Sequence, residues 1–166
     1  MPITYLKGDA TKPVKTGESR FIVHICNNKG GWGRGFVLAL SNRWPEPEAA
    51  YRAWFKEKKD FDAGRFQLGA VQVVPVEEGL FVVNMIAQEG YGKNNRNLHQ
   101  TSEPNSKSPI RYDALERCLS SVSQFNGTVH MPRIGTGLAG GSWEQIEAII
   151  QRTLVDAGIG VYVYDL

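Results

Sequence analysis

Cysteine, histidine and net charge are all scarce in this chain. Its 166 residues hold two cysteines and three histidines, and carry a net charge of +2. Cys26 and Cys118 form no Cys-x-x-Cys pair and have no metal-ligand spacing, so no metal is expected. With 19 basic residues against 17 acidic ones there is no polybasic arm or acidic tail, which argues against a dedicated nucleic-acid binder. No apolar run approaches membrane-spanning length. The opening Met1-Pro2-Ile3-Thr4-Tyr5-Leu6, followed at once by Lys7, does not read as a signal peptide. A soluble cytoplasmic protein with no membrane partner is expected. The motif G-x-x-x-x-G-K-S/T is missing, because Lys29 precedes its glycines, and P-loop and kinase chemistry are set aside.

What the chain has instead is hydrophobic mass and glycine: 42% hydrophobic residues and 18 glycines. A chain of this size buries about 70% of its unfolded surface, enough for one core, so residues 1–166 are read as a single domain and a monomer. Two glycine-rich turns stand far apart. Asn27-Asn28-Lys29-Gly30-Gly31-Trp32-Gly33-Arg34-Gly35 follows the apolar run Phe21–Cys26. Pro132-Arg133-Ile134-Gly135-Thr136-Gly137-Leu138-Ala139-Gly140-Gly141 follows Thr128–Met131. Each precedes a helical pattern. A helix N-terminus offers unpaired N–H groups and a positive dipole end, and glycine lets an anion approach that backbone. Two such turns point to a site for a diphosphate or for two phosphate-like groups.

Periodicity supplies the frame. Strands are expected over residues 3–6, 21–26, 68–76, 80–87, 129–131 and 159–164, with Glu77-Glu78-Gly79 making a hairpin. Helices are expected over 36–42, from Pro45 through the Tyr51, Trp54 and Phe55 stripe, over 109–125 and over 143–157. The last of these has Ser142 as N-cap and Gln145 completing a capping box. Strands alternating with helices imply a three-layer α/β/α sandwich around a mixed sheet of about six strands. The polar stretch 88–108, with Tyr91, Lys93, Arg96 and His99, reads as a lid, a recognition surface or a disordered loop. Gly135-Thr136-Gly137-Leu138-Ala139-Gly140 matches the dinucleotide fingerprint but lies too near the C-terminus for a Rossmann unit.

These residues resemble the macrodomain family over nearly the whole chain. The resemblance is carried by Ile3-Thr4-Tyr5-Leu6-Lys7-Gly8-Asp9, His24-Ile25-Cys26-Asn27, Met131-Pro132-Arg133-Ile134-Gly135-Thr136-Gly137-Leu138 and Val163-Tyr164-Asp165-Leu166. Within the family the chain is most similar to the branch of terminal ADP-ribose protein glycohydrolase and fungal ADP-ribose-1″-phosphate phosphatase, the likeness to the phosphatase resting on His24-x-Cys26-Asn27 followed by Gly30-Gly31-Trp32-Gly33-Arg34-Gly35. The resemblance implies ADP-ribose, free or on a macromolecule, as partner, with nucleic acid only as an ADP-ribosylated substrate, and requires no cofactor. Asp9 would accept the adenine amino group, with Ala10 beside it and Tyr164 and Leu166 on the adenine face. Gly135, Thr136, Gly137, Leu138 and Ala139, with Arg133 before them, would wrap the diphosphate, the Thr136 hydroxyl donating. Asn27, Asn28, Gly31, Trp32, Gly33, Arg34, Gly35 and Phe36 would face the distal ribose.

Each role has a plainer alternative. Trp32 either stacks over the distal ribose or is an edge-of-core aromatic. Arg34 and Lys29 are either site charges or solvated groups. His24 is either a general base or a hydrogen-bonded core residue. Cys26 is either a nucleophile beside the turn or a buried, inert thiol.

The family's catalytic pairs are missing. Where the glycohydrolase branch carries a lysine nucleophile this chain has Gln88, and where it carries an aspartate this chain has Ala139. Glutamine cannot form a Schiff base, so a covalent lysine mechanism is not expected. The Asn-Ala-Ala-Asn constellation of another hydrolase branch is replaced by Cys26-Asn27-Asn28-Lys29. Two readings follow: a hydrolase removing a 1″-phosphate or an ADP-ribosyl adduct at the distal ribose, with His24 as base, or a non-catalytic ADP-ribose reader. The retained His-x-Cys-Asn and Gly-x-Trp-Gly-x-Gly pattern favours the hydrolase; the lost pairs favour the reader.

Overall fold

The computed structural model describes residues 2–90, 109–137 and 139–166. The chain runs β1 (Thr4–Lys7), β2 (Arg20–Asn27), α1 (Phe36–Arg43) and α2 (Glu46–Glu57), then a minimal hairpin, β3 (Lys59–Asp60) and β4 (Gly64–Arg65). It continues through β5 (Val71–Glu77), β6 (Leu80–Gln88), α3 (Tyr112–Val122), β7 (Thr128–Met131), α4 (Trp143–Ile150) and β8 (Val161–Asp165). The six-stranded sheet has the order β1-β8-β7-β2-β6-β5. All neighbours in it pair parallel except the β5–β6 hairpin, so the sheet is mixed.

Two apolar layers sandwich this sheet. On one face Val23, Met85, Met131 and Val163 pack against Leu115 and Leu119 of α3 and Ile146 and Ile150 of α4. On the other, Ile22, Val82 and Ile86 meet Leu40 of α1 and Tyr51 and Trp54 of α2. Central strands covered on both faces need side chains that are apolar on both, hence the continuous runs of β2 and β6. Edge strand β5 alternates buried and exposed positions instead. Helix α2 starts as its sequence dictates, with Pro47 in the first turn beside Glu46 and Glu48.

Several features differ from the sequence reading. β5 starts at Val71 rather than residue 68, after Gly69 in the left-handed region (φ 93°). α3 starts at Tyr112 because Ile110 bridges to Gln88 instead. α4 gives way after Ile150 to a π-turn, Gln151–Val155. The capping box is not formed: Ser142 makes no side-chain cap, and its backbone N–H donates to the Tyr112 hydroxyl at 2.9 Å. The β3–β4 hairpin was not expected, because two-residue strands carry no readable alternation.

Candidate functional site

After β2 the chain turns to α1 on one face of the sheet, and after β7 it turns to α4 on the opposite face. Because β2 and β7 are parallel neighbours, their C-terminal ends form a topological switch point, where open α/β sheets have a crevice. The two glycine turns flank that crevice. Gly8-Asp9 after β1, Leu166 after β8 and Glu89-Gly90 after β6 lie along the same sheet edge. Parallel pairing thus gathers segments from the two ends of the chain.

The first turn has a structural half and an open half. Asn27 is 8% exposed; its Oδ1 accepts from the N–H groups of Lys29 (2.8 Å) and Gly31 (3.0 Å), and its Nδ2 donates to the Gly31 carbonyl (2.8 Å). Asn28 ties the turn to β6, donating its N–H to the Gln88 carbonyl and accepting from Gly90 N–H through Oδ1 (3.1 Å). Asn27 and Asn28 thus hold the turn in shape, and Asn28 and Gly31 stay half-buried. Beyond Trp32, the N–H groups of Gly33, Arg34, Gly35 and Phe36 have no acceptor among the described residues. Gly35 (φ 79°, ψ −144°) holds a conformation that only glycine takes without strain, and it delivers the chain into α1. Arg34 is exposed there and Lys29 is exposed earlier in the turn.

The second turn is folded on itself. Gly141 N–H donates to the Gly135 carbonyl (2.6 Å) and Gly140 N–H to the Gly137 carbonyl (3.0 Å). The N–H groups of Gly135, Thr136 and Gly137 have no acceptor among the described residues. At Gly135 (φ 77°) a Cβ would lie 2.7 Å from the Ile110 side chain and 2.8 Å from that of Ile146, so both space and backbone require glycine. The Thr136 hydroxyl spends its proton on the Arg133 carbonyl (2.8 Å), and Ala139 is 6% exposed, packed in the α3/α4 core with its carbonyl accepting from Ile110 N–H. Arg133 forks onto the Asp165 carboxylate (2.7 and 3.1 Å) and lies over the Tyr5 and Trp143 rings, bracing the turn against β8 and β1. Leu138 lies outside the described residues, as do Tyr91, Lys93, Arg96 and His99.

At the β1 end, the Asp9 Oδ1 accepts from both the N–H (2.8 Å) and the hydroxyl (2.7 Å) of Thr11. Partial burial pushes its carboxyl up, but these two bonds and nearby Lys12 outweigh that and hold it below the ordinary value. The other oxygen, Oδ2, keeps its acceptor capacity. Ala10 is buried and Leu166 almost fully exposed beside this corner. Tyr164 is 5% exposed; its hydroxyl accepts from Val14 N–H (2.9 Å) and shares a hydrogen bond with His130 Nδ1 (2.8 Å). It belongs to the packing beneath the corner, not to an open face.

Trp32 and His24 are both buried. Trp32 is 4% exposed, donates to Ser41 Oγ (2.8 Å) and packs 5.4 Å from the Tyr51 ring; the turn folds over α2, so its tip has core to bury against. His24 is 2% exposed under the edge of Trp32, beside Phe36, and its Nε2 lies 2.6 Å from Asn84 Oδ1. Asn84 Nδ2 donates to Gln72 Oε1 and the Pro47 carbonyl, so Oδ1 is the acceptor and His24 the donor. Burial drives the imidazole pKa down to about 4, the Asn84 bond opposing only part of that. The His24 imidazole is neutral and enclosed, and its Nε2–H is spent on Asn84. Burial also raises the Cys26 thiol well above its ordinary value, leaving no nucleophilic thiolate.

The same fold occurs in known proteins. A solved structure of a Bacteroides thetaiotaomicron protein of unknown function is 49% identical, with a TM-score of 0.87, covering 100% of this chain and 99% of that one. The macrodomain protein from Streptomyces coelicolor is 44% identical with a TM-score of 0.77, covering 99% of both chains. The chain belongs to the macrodomain family. Among curated relatives, the macrodomain is 25% identical to an ADP-ribose 1″-phosphate phosphatase of Meyerozyma guilliermondii, over 97% of this chain and 98% of that protein. It is 30% identical over 98% of its length to the chromodomain-helicase-DNA-binding protein 1-like of Danio rerio, of which it spans only 15%. No protein-family model matches it.

Two residues that shape the macrodomain's crevice carried no sequence signal. The Tyr51 hydroxyl sits 2.7 Å from the Asn27 carbonyl and accepts from Gly30 N–H (3.1 Å), yet in sequence it is one more position of an apolar stripe. Thr11, which orients Asp9, looks like an ordinary turn residue.

Proposed function

We propose that this macrodomain binds ADP-ribose along the crevice and hydrolyses a group from its distal ribose, either a 1″-phosphate or the bond to an ADP-ribosylated macromolecule. The observation that carries the reading is the pair of open amide arcs, 33–36 and 135–137, facing one switch point. One arc suits the diphosphate, the other a group on the distal ribose. Asp9 Oδ2 accepts the adenine amino group, and Leu166 covers that corner. Relatives named ADP-ribose 1″-phosphate phosphatase support the reaction class.

For the 1″-phosphate, water attacks phosphorus, the bond to the C1″ oxygen breaks, and that oxygen leaves as the ribose hydroxyl after taking a proton. The amides of Gly33, Arg34, Gly35 and Phe36 stabilise charge on the phosphoryl oxygens, and positioning supplies the rest. Neither a lysine nucleophile nor the His24 imidazole enters. The burial of His24 also supports the second reading, a non-catalytic reader, since it removes the candidate base. The protein is read as a cytoplasmic monomer acting as one domain without a cofactor.

Phosphorus NMR of ADP-ribose-1″-phosphate with the purified protein separates these readings. Growth of inorganic phosphate, abolished by Gly35→Ala, establishes the phosphatase. Perturbed diphosphate resonances without turnover establish the reader. Unchanged spectra overturn ADP-ribose as the ligand.

A further inference from the structure

The sheet has one edge formed by β5, and that edge is incompletely closed. Ile86 N–H donates to the Ala70 carbonyl at 3.0 Å, and β5 pairs with β6 through the register Gln72↔Asn84 and Val74↔Val82. In an antiparallel ladder bonded and outward-facing residues alternate. The N–H and C=O groups of Val71 and Val73 and the carbonyl of Pro75 therefore point away from the sheet, and among the described residues nothing accepts from or donates to them. Natural edges are blunted by proline, lysine or bulges. Here Pro75 and the irregularity between Pro75 and Glu77 protect only one end, and Val73 stands 40% exposed at the other.

A groove of about 330 Å³ lies along this edge, lined by Ala50 of α2, Ala63 of the β3–β4 turn and Phe125 beyond α3. Its charged lining is of one sign, Asp60 and Asp62. The Asp60 carboxyl is held below its ordinary range, chiefly by the hydrogen bond that Gln72 donates to Oδ2, so it stays ionised. Strand alternation in the β3–β4 hairpin sends Asp60 toward the groove and the cross-strand pair Lys59 and Arg65 away from it. At the hairpin tip Phe61 is fully exposed between the two aspartates. An unpaired edge, an apolar trough, an exposed aromatic and two carboxylates coincide here.

We propose that β5 is a docking edge for an extended segment of a partner protein, added as a further strand, with lysine or arginine side chains directed at Asp60 and Asp62. Main-chain bonds to Val71 and Val73 supply the pairing, and the trough receives alternate apolar side chains. Charge selects this occupant over a second copy of the chain, because pairing two β5 edges brings two sets of aspartates into one interface. The docking edge lies two strands from the crevice and does not depend on what binds there.

The test is an NMR titration of the isotope-labelled full chain with an acetylated, amidated peptide of alternating lysine and valine, against a glutamate-valine counterpart. The basic peptide is expected to shift the Val71 and Val73 amides and slow their solvent exchange at least tenfold, and to bind at least tenfold more tightly than the acidic one. Val73→Lys and Asp62→Lys, both at exposed positions, should each weaken binding at least tenfold. Neither should alter the phosphorus shifts seen with ADP-ribose, which keeps this test separate from the proposed function. Equal binding of both peptides, or shifts confined to other elements, overturns the proposal. So does concentration-dependent protection of Val71 and Val73 in the peptide-free protein, which would mark self-pairing, or displacement of the peptide by a ten-residue oligothymidylate.

Discussion

The His24 imidazole and the Asn84 amide face each other across paired positions of β2 and β6, 2.6 Å apart, at the head of a buried polar chain. The chain continues from Asn84 to Gln72 and from Gln72 to Asp60, crossing the sheet from the crevice strand to the β3–β4 hairpin. It explains why a histidine sits in an apolar strand: every member is satisfied, so a polar row lies in the core without orphaned donors. His24→Ala removes one partner, leaves Asn84 Oδ1 unpaired and opens a cavity, at about 2–4 kcal/mol. Denaturant unfolding should show that loss. Any turnover by the remaining folded fraction should persist, and a folded, fully stable but inactive variant would restore the base assignment.

Two histidines give the protein an acid-sensitive window. Burial lowers both His24 and His130 to about 4 from an unfolded value of 6.5. The unfolded chain takes up these protons as pH falls through 6.5, while the folded chain takes them up only near 4. Their stabilisation is therefore complete above 6.5 and is lost between 6.5 and 4, at a magnitude of order 3 kcal/mol for each. Melting temperature against pH should fall across this interval. Replacing His130 with glutamine should flatten the fall, and an unchanged slope would count against a neutral buried His130.

Trp32 should behave as a core residue. Trp32→Ala is expected to cost about 3–5 kcal/mol, or roughly 10 °C in melting temperature for a chain of this length. Calorimetry decides the matter: near-wild-type melting with weakened ligand binding would return Trp32 to the crevice surface.

Asp9 should read the adenine edge. Asp9→Ala removes a charged hydrogen-bond acceptor, and a loss of about 1.5–3 kcal/mol corresponds to roughly 10–150-fold weaker ADP-ribose binding. Inosine diphosphate ribose, which offers an acceptor where adenine has its amino group, should bind the wild type weakly and lose little more in the variant. Titration calorimetry with both ligands checks this, and equal losses for the two would refute the contact.

Gly35→Ala should weaken ADP-ribose binding at least tenfold while the core stays intact. No atom lies within 4 Å of the added Cβ, so the cost comes from backbone conformation and falls on the open half of the turn.

What the sequence determined by itself lies at short range. The continuous apolar runs of β2 and β6, the Glu77-Glu78-Gly79 hairpin, the helical stripe of α3 and the two glycine turns all follow from neighbouring residues. So do the layer order and the family resemblance. The direction of a side chain at a strand end does not, because it depends on what the topology brings alongside. Asn27 is spent on its own turn, Tyr164 points under the β1 corner to meet His130, and Trp32 meets a helix about twenty residues away. None of these partners is adjacent in sequence to the expected ligand contact it replaces, apart from Asn27's own. Tertiary structure alone decided which glycine-turn amides remain open, since hydrogen-bond satisfaction is a property of the assembled neighbourhood and not of a residue type.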